Sequence, residues 1–334
     1  MVKLSDIIKE DAETKALNEP GLLSEVSKTK NSRGSLPEIK KIYDDIILIT
    51  KAIMNGIKEG KTIEGKEIVD LAEIIVYRLQ AHDNAMLYFI NLYTFYLEKE
   101  DYLYVHSVNT TILATRIALA LGFEERELVD LSVASLLHDI GMLKISPEII
   151  HKTSRLSEEE LYELRRHPIY GAEILKDIED LPKSTSEVVY QHHEREDGSG
   201  YPDGKKADEI SEYAKIVAIA DVYEAATHLR PYRKDRTIPY DGVKMIVREA
   251  KSSFNAQFVK VFLKFITPYP LGSYVLLNSN EIGRVVKVDV NHPLSPVVEI
   301  FFNSKGQPPE KPVRIDLAQS PAVCIEKAID EDKL

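Results

Sequence analysis

The chain has 334 residues, 44% of them hydrophobic, and its 43 Lys and Arg against 54 Asp and Glu give a formal net charge of −11. That is enough apolar material for two or three domains with sizeable cores, and the acidic balance excludes a DNA or RNA polymer or an anionic membrane surface as a broad partner, since either must be neutralised by many basic side chains. The single cysteine, Cys324, excludes an intrachain disulfide and any thiolate cluster, so a metal site has to be built from His, Asp and Glu.

Residues 1–35 are polar, end in KTKNSRGS, and read as a poorly ordered or adapter segment. From Leu36-Pro37 the pattern turns helical: Ile39, Ile42, Tyr43, Ile46, Ile49 and Ile53 recur at steps of three and four. Segments 64–81 and 83–98 repeat it, which makes 36–101 an N-terminal helical region. From 102 to 269 nearly every stretch is again helical. VHSVNTTILATRIALALG should stop at Gly122 and ERELVDLSVASLLHDIG at Gly141, both as C′ glycines. Ser157 and Glu160 form a capping box before LYELRRH, and further helices fit STSEVVYQHHE, SEYAKIVAIADVYEAATH, PYDGVKMIVREA and SFNAQFVKVFLKFI. After Tyr269-Pro270 the texture changes to short β-branched runs, SYVLL, GRVVKVDV, PVVEIFF, VRIDL and AVCIEKA, so 270–334 reads as a small β-rich domain. The expected fold is mainly α with a β-rich C-terminal extension. The longest apolar runs are too short for a membrane span and MVKLSDIIKEDAETK lacks the apolar stretch of a signal peptide, so the expectation is a cytoplasmic protein without membrane insertion.

Histidines and aspartates gather at the helix ends of the 102–269 segment. His106 lies near the start of one helix, His138-Asp139 at the end of the next, His167 just before Pro168, His192-His193 at the end of another, and Asp221 within AIADVYEA. A lone helical histidine is more often a hydrogen-bonded core residue than a ligand, and His138-Asp139 alone could be a helix-end cation with its partner. Together these residues are more than one metal can use. Neighbouring residues on a helix point about 100° apart, so consecutive ligands suit two ions a few ångströms apart with a carboxylate between them. Asp139 is the natural bridge, and a two-metal site of this kind suits phosphoester hydrolysis. His82, His151, His228 and His292 have no such setting and are read as structural.

These residues carry a resemblance. HSVN at 106–109, HDIG at 138–141, HP at 167–168, HHEREDGSGYP at 192–202 and ADVYEA through RPYRK at 220–234 resemble the HD-GYP domain of the HD phosphohydrolase superfamily, over roughly residues 102–269. The resemblance implies a helical metallohydrolase domain that hydrolyses cyclic di-GMP. It implies His106, His138, Asp139, His167, His192, His193 and Asp221 as ligands of two divalent metal ions, iron or manganese, with Asp139 and His138 at the catalytic centre. It also implies phosphate contacts from Arg230 and Arg233, whose guanidinium groups offer forked hydrogen bonds to phosphate oxygens, and a cleft rim shaped by Gly198, Gly200, Tyr201 and Pro202. Three positions depart from the family. Tyr102 stands where members with a third metal carry Glu, which leads us to expect two metals. Met142 replaces the usual lysine, with Lys144 two residues on as the alternative phosphate contact, and Glu196 replaces a frequent Trp.

The expected reaction is in-line attack of a metal-bridging hydroxide on one phosphorus of cyclic di-GMP, expelling the ribose 3′ oxygen to give pGpG and, after a second cut, GMP. Two alternatives stay open at this point: a cyclic di-GMP sensor with little turnover, suggested by Tyr102 and Met142, and an HD-superfamily phosphohydrolase of another nucleotide. A homodimer, or a signalling partner engaged through the N-terminal helices, is compatible with the sequence.

Overall fold

The computed structural model describes residues 36–82, 85–92, 101–228, 237–289 and 292–329. The N-terminal adapter segment expected at 1–35, the last part of the helix expected at 83–98, and the basic run at 230–234 lie outside these residues. The molecule is mainly helical, with one small antiparallel sheet at its C-terminal end.

Helix α1 (Leu36–Lys58) is held by the stripe its sequence announces: Ile39, Ile42, Tyr43, Ile46, Ile49 and Ile53 are all buried. Helices α2 (Gly65–His82) and α3 (Ala85–Leu92) follow, and then α4 (Tyr102–Leu121), which lies at the centre of the bundle. Most of its apolar side chains from Leu103 to Ala118 are buried, along with a run of polar ones, His106, Ser107, Asn109, Thr110, Thr111 and Thr115. Small hydroxyl side chains tolerate this because they can bond within the bundle: Thr111 donates to the Ser107 carbonyl at 2.7 Å, and Thr115 meets Ser132 at 2.7 Å. Gly122, with φ 88°, ends the helix as expected, its N–H on the Leu119 carbonyl.

Helix α5 (Glu125–Leu136) stops five residues before Gly141 rather than at it, and Gly141 lies inside a 3-10 turn, Ile140–Lys144. The glycine is there for space, not for a left-handed cap. A Cβ at Gly141 would sit 1.9 Å from the His167 carbonyl oxygen and 2.5 Å from the Gly171 nitrogen, so this turn packs backbone to backbone against the helix that begins at His167. Short helices α6 (Pro147–Ile150), α7 (Glu158–Leu164, with the expected Ser157/Glu160 capping box), α8 (His167–Ile174) and α9 (Thr185–Gln191) wrap the same region. Helix α10 (Glu212–Thr227) packs along α4, and α11 (Pro239–Glu249) and α12 (Ala256–Phe262) close the bundle.

A single apolar core runs from Ile39 in α1 through Ile266. Residues of α1–α3 and of the histidine-bearing helices thus share one interior, each fully buried Ile or Leu contributing about 1.5–3 kcal/mol. The five strands β1 (Tyr274–Leu277), β2 (Ile282–Lys287), β3 (Val297–Phe302), β4 (Arg314–Asp316) and β5 (Ile325–Ile329) form an antiparallel sheet in the order β4-β3-β2-β1-β5. Alternation decides its faces: Val275, Leu277, Val285, Val298 and Ile300 point to a second small core, which Tyr269 joins. Tyr240 of α11 stacks on Tyr269, with ring centroids 5.5 Å apart.

Candidate metal centre

Three of the histidines are aimed by one device. A helix leaves its last carbonyls without intrahelical partners, and a histidine placed just past the end can use one of them. His138 Nδ1 lies 2.7 Å from the Ser135 carbonyl, His167 Nδ1 2.8 Å from that of Leu164, and His192 Nδ1 2.7 Å from that of Val189. A carbonyl oxygen only accepts, so each Nδ1 carries the proton and each Nε2 presents a lone pair. His106, inside α4, reaches the same state differently: its Nδ1 bonds to the Glu224 carboxylate.

The Nε2 atoms converge. His138 and His106 face each other at 3.2 Å, and His167 and His192 at 3.3 Å. Asp139 lies between the two pairs. Its Oδ1 is 3.2 Å from His167 Nε2 and 3.6 Å from His192 Nε2, while its Oδ2 is 3.4 Å from His106 Nε2 and 3.6 Å from His138 Nε2. Asp221 from α10 adds a second carboxylate, 3.1 Å from His106 Nε2 and 3.7 Å from His193 Nδ1. The donor atoms fall into two groups that share Asp139: His106 and His138 in one, His167, His192 and His193 in the other. His192 and His193 both lie close to Asp139, in the second group. Helix α9 ends at Gln191 and His193 follows in a turn.

Imidazole lone pairs aimed at one another in a buried site repel unless a cation lies among them. Nitrogen and carboxylate donors without sulfur suit Fe, Mn, Zn or Mg, so the residues present fit divalent metal ions. Electrostatics agree. Burial, aided by the neighbouring His106 and His192, lowers the His138 pKa to about 4, so this ring stays neutral at ordinary pH. His193 is lowered well below the usual imidazole value by burial and by His192 and His167. Burial alone would raise the two carboxylates, but the imidazoles of His138, His106, His167 and His192 grouped around Asp139 hold it well below the usual range. The imidazoles of His106, His193 and His138 do the same for Asp221.

The centre opens into a cavity of about 500 Å³ whose walls include Tyr102, Met142, Lys152, Tyr201 and Met245. Tyr102 stands on this wall, and Asp101 beside it pairs with Lys51 of α1 at 2.9 Å, away from the cavity. Lys144 does not reach the cavity. It is exposed, 3.4 Å from Glu173 and over the Tyr170 ring, because the 3-10 turn directs it outward while Met142 faces in. Among the described residues the lysine or arginine that lines the cavity is Lys152, paired with Glu160 at 2.6 Å. Tyr201 stacks on His193 with centroids 4.6 Å apart, and the Arg165 guanidinium lies over the Tyr201 ring, 5.4 Å from its centre. Burial and the charges of Asp221 and Asp139 push the Tyr201 phenol up, so it stays protonated. The loop carrying it is tied down by Glu194, whose carboxylate accepts the N–H groups of Asp203 at 2.8 Å and Lys205 at 2.9 Å. Gly200 is where this loop touches the histidine segment, since a Cβ there would lie 2.5 Å from the His193 carbonyl oxygen. Glu196 accepts a hydrogen bond from Asn255 at 3.1 Å and serves as an outer anchor of the loop. Arg230 and Arg233 lie outside the described residues.

Lys152, Glu194, Glu224 and Asn109 are absent from the sequence-derived site. Glu194 closes HHE and Glu224 lies in ADVYEA, but the partner of Glu224, His106, is 118 residues away, and Lys152 stands in none of the motifs.

This arrangement of two histidine pairs about one aspartate on a helical scaffold defines a class. Residues 93–257 match the family model described as HD domain, and residues 274–334 that of a KOW domain associated with HD domain. Residues 93–257 are thus similar to HD domains, and the HDIG, HHE and GYP motifs lie within or beside that match. It is 32% identical over 263 residues to the cyclic di-GMP phosphodiesterase PA4108 of Pseudomonas aeruginosa, covering 78% of this chain and 62% of that protein. It is 30% identical over 204 residues to the cyclic di-GMP phosphodiesterase PdeB of Borreliella burgdorferi, covering 61% of this chain and 53% of that one. The chain thus spans less than two thirds of the length of both relatives. In fold it is similar to an HDG"Y"P protein from Bdellovibrio bacteriovorus, with a TM-score of 0.59, 19% identity, and coverage of 76% of this chain and 79% of the other. No helix among the described residues is long and apolar enough to cross a membrane.

Proposed function

We propose that this chain is a metal-dependent phosphodiesterase that hydrolyses cyclic di-GMP to linear pGpG and, by a second cut, to GMP. The observation that carries the reading is Asp139, which offers one carboxylate oxygen to His167 and His192 and the other to His106 and His138. The names of the two curated relatives supply the substrate.

In this reading His106, His138, Asp139, His167, His192, His193 and Asp221 hold two divalent cations, which when bound supply Lewis-acid charge to the phosphoryl group and lower the pKa of a water. The remaining work belongs to the chain. Asp139 fixes the spacing of the two donor groups, and the Nδ1 anchors on backbone carbonyls keep the lone pairs aimed before substrate arrives, so little reorganisation is needed. Water oxygen adds to one phosphorus, the bond to the ribose 3′ oxygen breaks, and the departing oxygen takes up a proton. Tyr201 forms a wall of the cleft against His193, and Lys152 brings positive charge to it. Arg230 and Arg233 are assigned to the substrate phosphates. Fe or Mn as the metals, a cytoplasmic location, and a homodimer or signalling partner engaged through α1–α3 belong to the same proposal.

The test is anaerobic incubation of the protein, loaded separately with Fe(II) and Mn(II), with cyclic di-GMP, followed by chromatography. Release of pGpG or GMP, lost in Asp139→Ala, is the expected result. Tight binding with intact substrate in every metal would instead assign the chain as a sensor, and turnover of a different cyclic dinucleotide alone would move the substrate.

A further inference from the structure

A chain of buried hydrogen bonds leads from the N-terminal helix into the metal centre. Tyr43 of α1 donates its hydroxyl hydrogen bond to Asn109 Oδ1 on α4, Asn109 Nδ2 donates to Glu224 Oε1 of α10 at 3.0 Å, and Glu224 Oε2 accepts from His106 Nδ1. Tyr43 and Asn109 are fully buried and His106 and Glu224 are each 2% exposed, so water does not substitute for these partners. Unlike His138, His167 and His192, His106 does not sit just past a helix end with its Nδ1 on a helix-end carbonyl. Its ring lies within α4, with Thr110 Oγ1 3.4 Å from Nδ1.

We propose that Tyr43, Asn109 and Glu224 form a positioning relay that sets the tautomer and ring angle of His106, making α1 a working part of the metal centre. The inference rests on the two-metal reading above but not on the identity of the substrate. A carboxylate on Nδ1 keeps the proton there, leaves Nε2 as the ligand atom, and raises the basicity of the ring. Glu224 can do this only if its own carboxylate is held, and Asn109 holds it from the far oxygen. Asn109 in turn is oriented by Tyr43, because an amide whose oxygen accepts from the phenol must direct its NH2 to Glu224. A displacement of α1 that withdraws Tyr43 therefore frees the amide to turn and loosens His106.

Titration of the full-length protein with Co(II) and Mn(II) against a chromophoric chelator, with the visible Co(II) spectrum as second readout, tests the relay without substrate. Glu224→Gln should weaken binding of one ion per chain by about 10- to 100-fold, and Tyr43→Phe should weaken the same ion by about 3- to 10-fold with a changed Co(II) spectrum. The double variant should be no weaker than Glu224→Gln alone, since both act through His106. Thr50→Val removes another buried hydrogen bond of α1, from Thr50 Oγ1 to the Ile46 carbonyl, and should leave affinity and spectrum unchanged. Wild-type affinity and spectrum in Tyr43→Phe would overturn the relay from α1, and so would an equal loss in Thr50→Val. Wild-type protein that takes up no metal would refute the two-metal reading itself, and the relay with it.

Discussion

Gly141 and His167 meet backbone to backbone: a methyl group on Gly141 would lie 1.9 Å from the His167 carbonyl oxygen. The turn carrying Asp139 and the helix carrying His167 are thereby locked at the separation that puts Asp139 Oδ1 3.2 Å from His167 Nε2. Gly141→Ala should lower stability by about 3 kcal/mol, at the upper end of overpacking costs, and should release metal from the His167 side first. Urea denaturation with parallel metal analysis checks this, and a variant as stable and metal-replete as wild type would show that the contact relaxes freely.

Acid should destabilise the metal-free protein in a defined window. An unfolded histidine takes up a proton near 6.5, whereas His138 does so near 4 because burial penalises its charge. Between those values the unfolded chain binds more protons than the folded one, so stability is retained above about 6.5 and falls as pH drops towards about 4. His138 alone contributes a loss of about 3 kcal/mol. His193 is displaced in the same direction. Asp139 and Asp221, held below 3.8, add their loss only at still lower pH. Denaturation midpoints of apoprotein from pH 7.5 to 4.5 should fall steeply, and less so in His138→Gln. Equal slopes in the two proteins would contradict the assignment.

Lys152 and Lys144 should separate kinetically. Lys152 lines the cavity and Lys144 is turned out towards Glu173. Lys152→Ala should raise KM for cyclic di-GMP about tenfold with a smaller change in kcat, the pattern expected on losing a charge-assisted phosphate contact, while Lys144→Ala should leave both parameters near wild type. The reverse pattern in steady-state assays would return the phosphate contact to Lys144.

Local signals carried much of this structure. The three- and four-residue recurrence of Ile39, Ile42, Tyr43, Ile46, Ile49 and Ile53 is enough to place α1 and its buried face, and the Ser157/Glu160 pair marks the start of α7. The histidines just past helix ends were equally legible, since a helix terminus is a local feature and its unpaired carbonyl is what orients each ring. Gly141 was misread as a helix stop because a glycine required for close approach and one required for a left-handed cap look alike in sequence. Glu224, 118 residues from His106, and Tyr43, 66 residues from Asn109, could not be found in this way. Their roles arise only where α1, α4 and α10 share a core.

The most direct measurement is elemental analysis of metal per chain in wild-type protein and Asp139→Ala, each loaded anaerobically and desalted. Two ions per chain in the wild type, falling to one or none when the shared carboxylate is removed, is the predicted result. A wild type that retains a single ion, or an Asp139→Ala variant that still retains two, would contradict a centre built about Asp139.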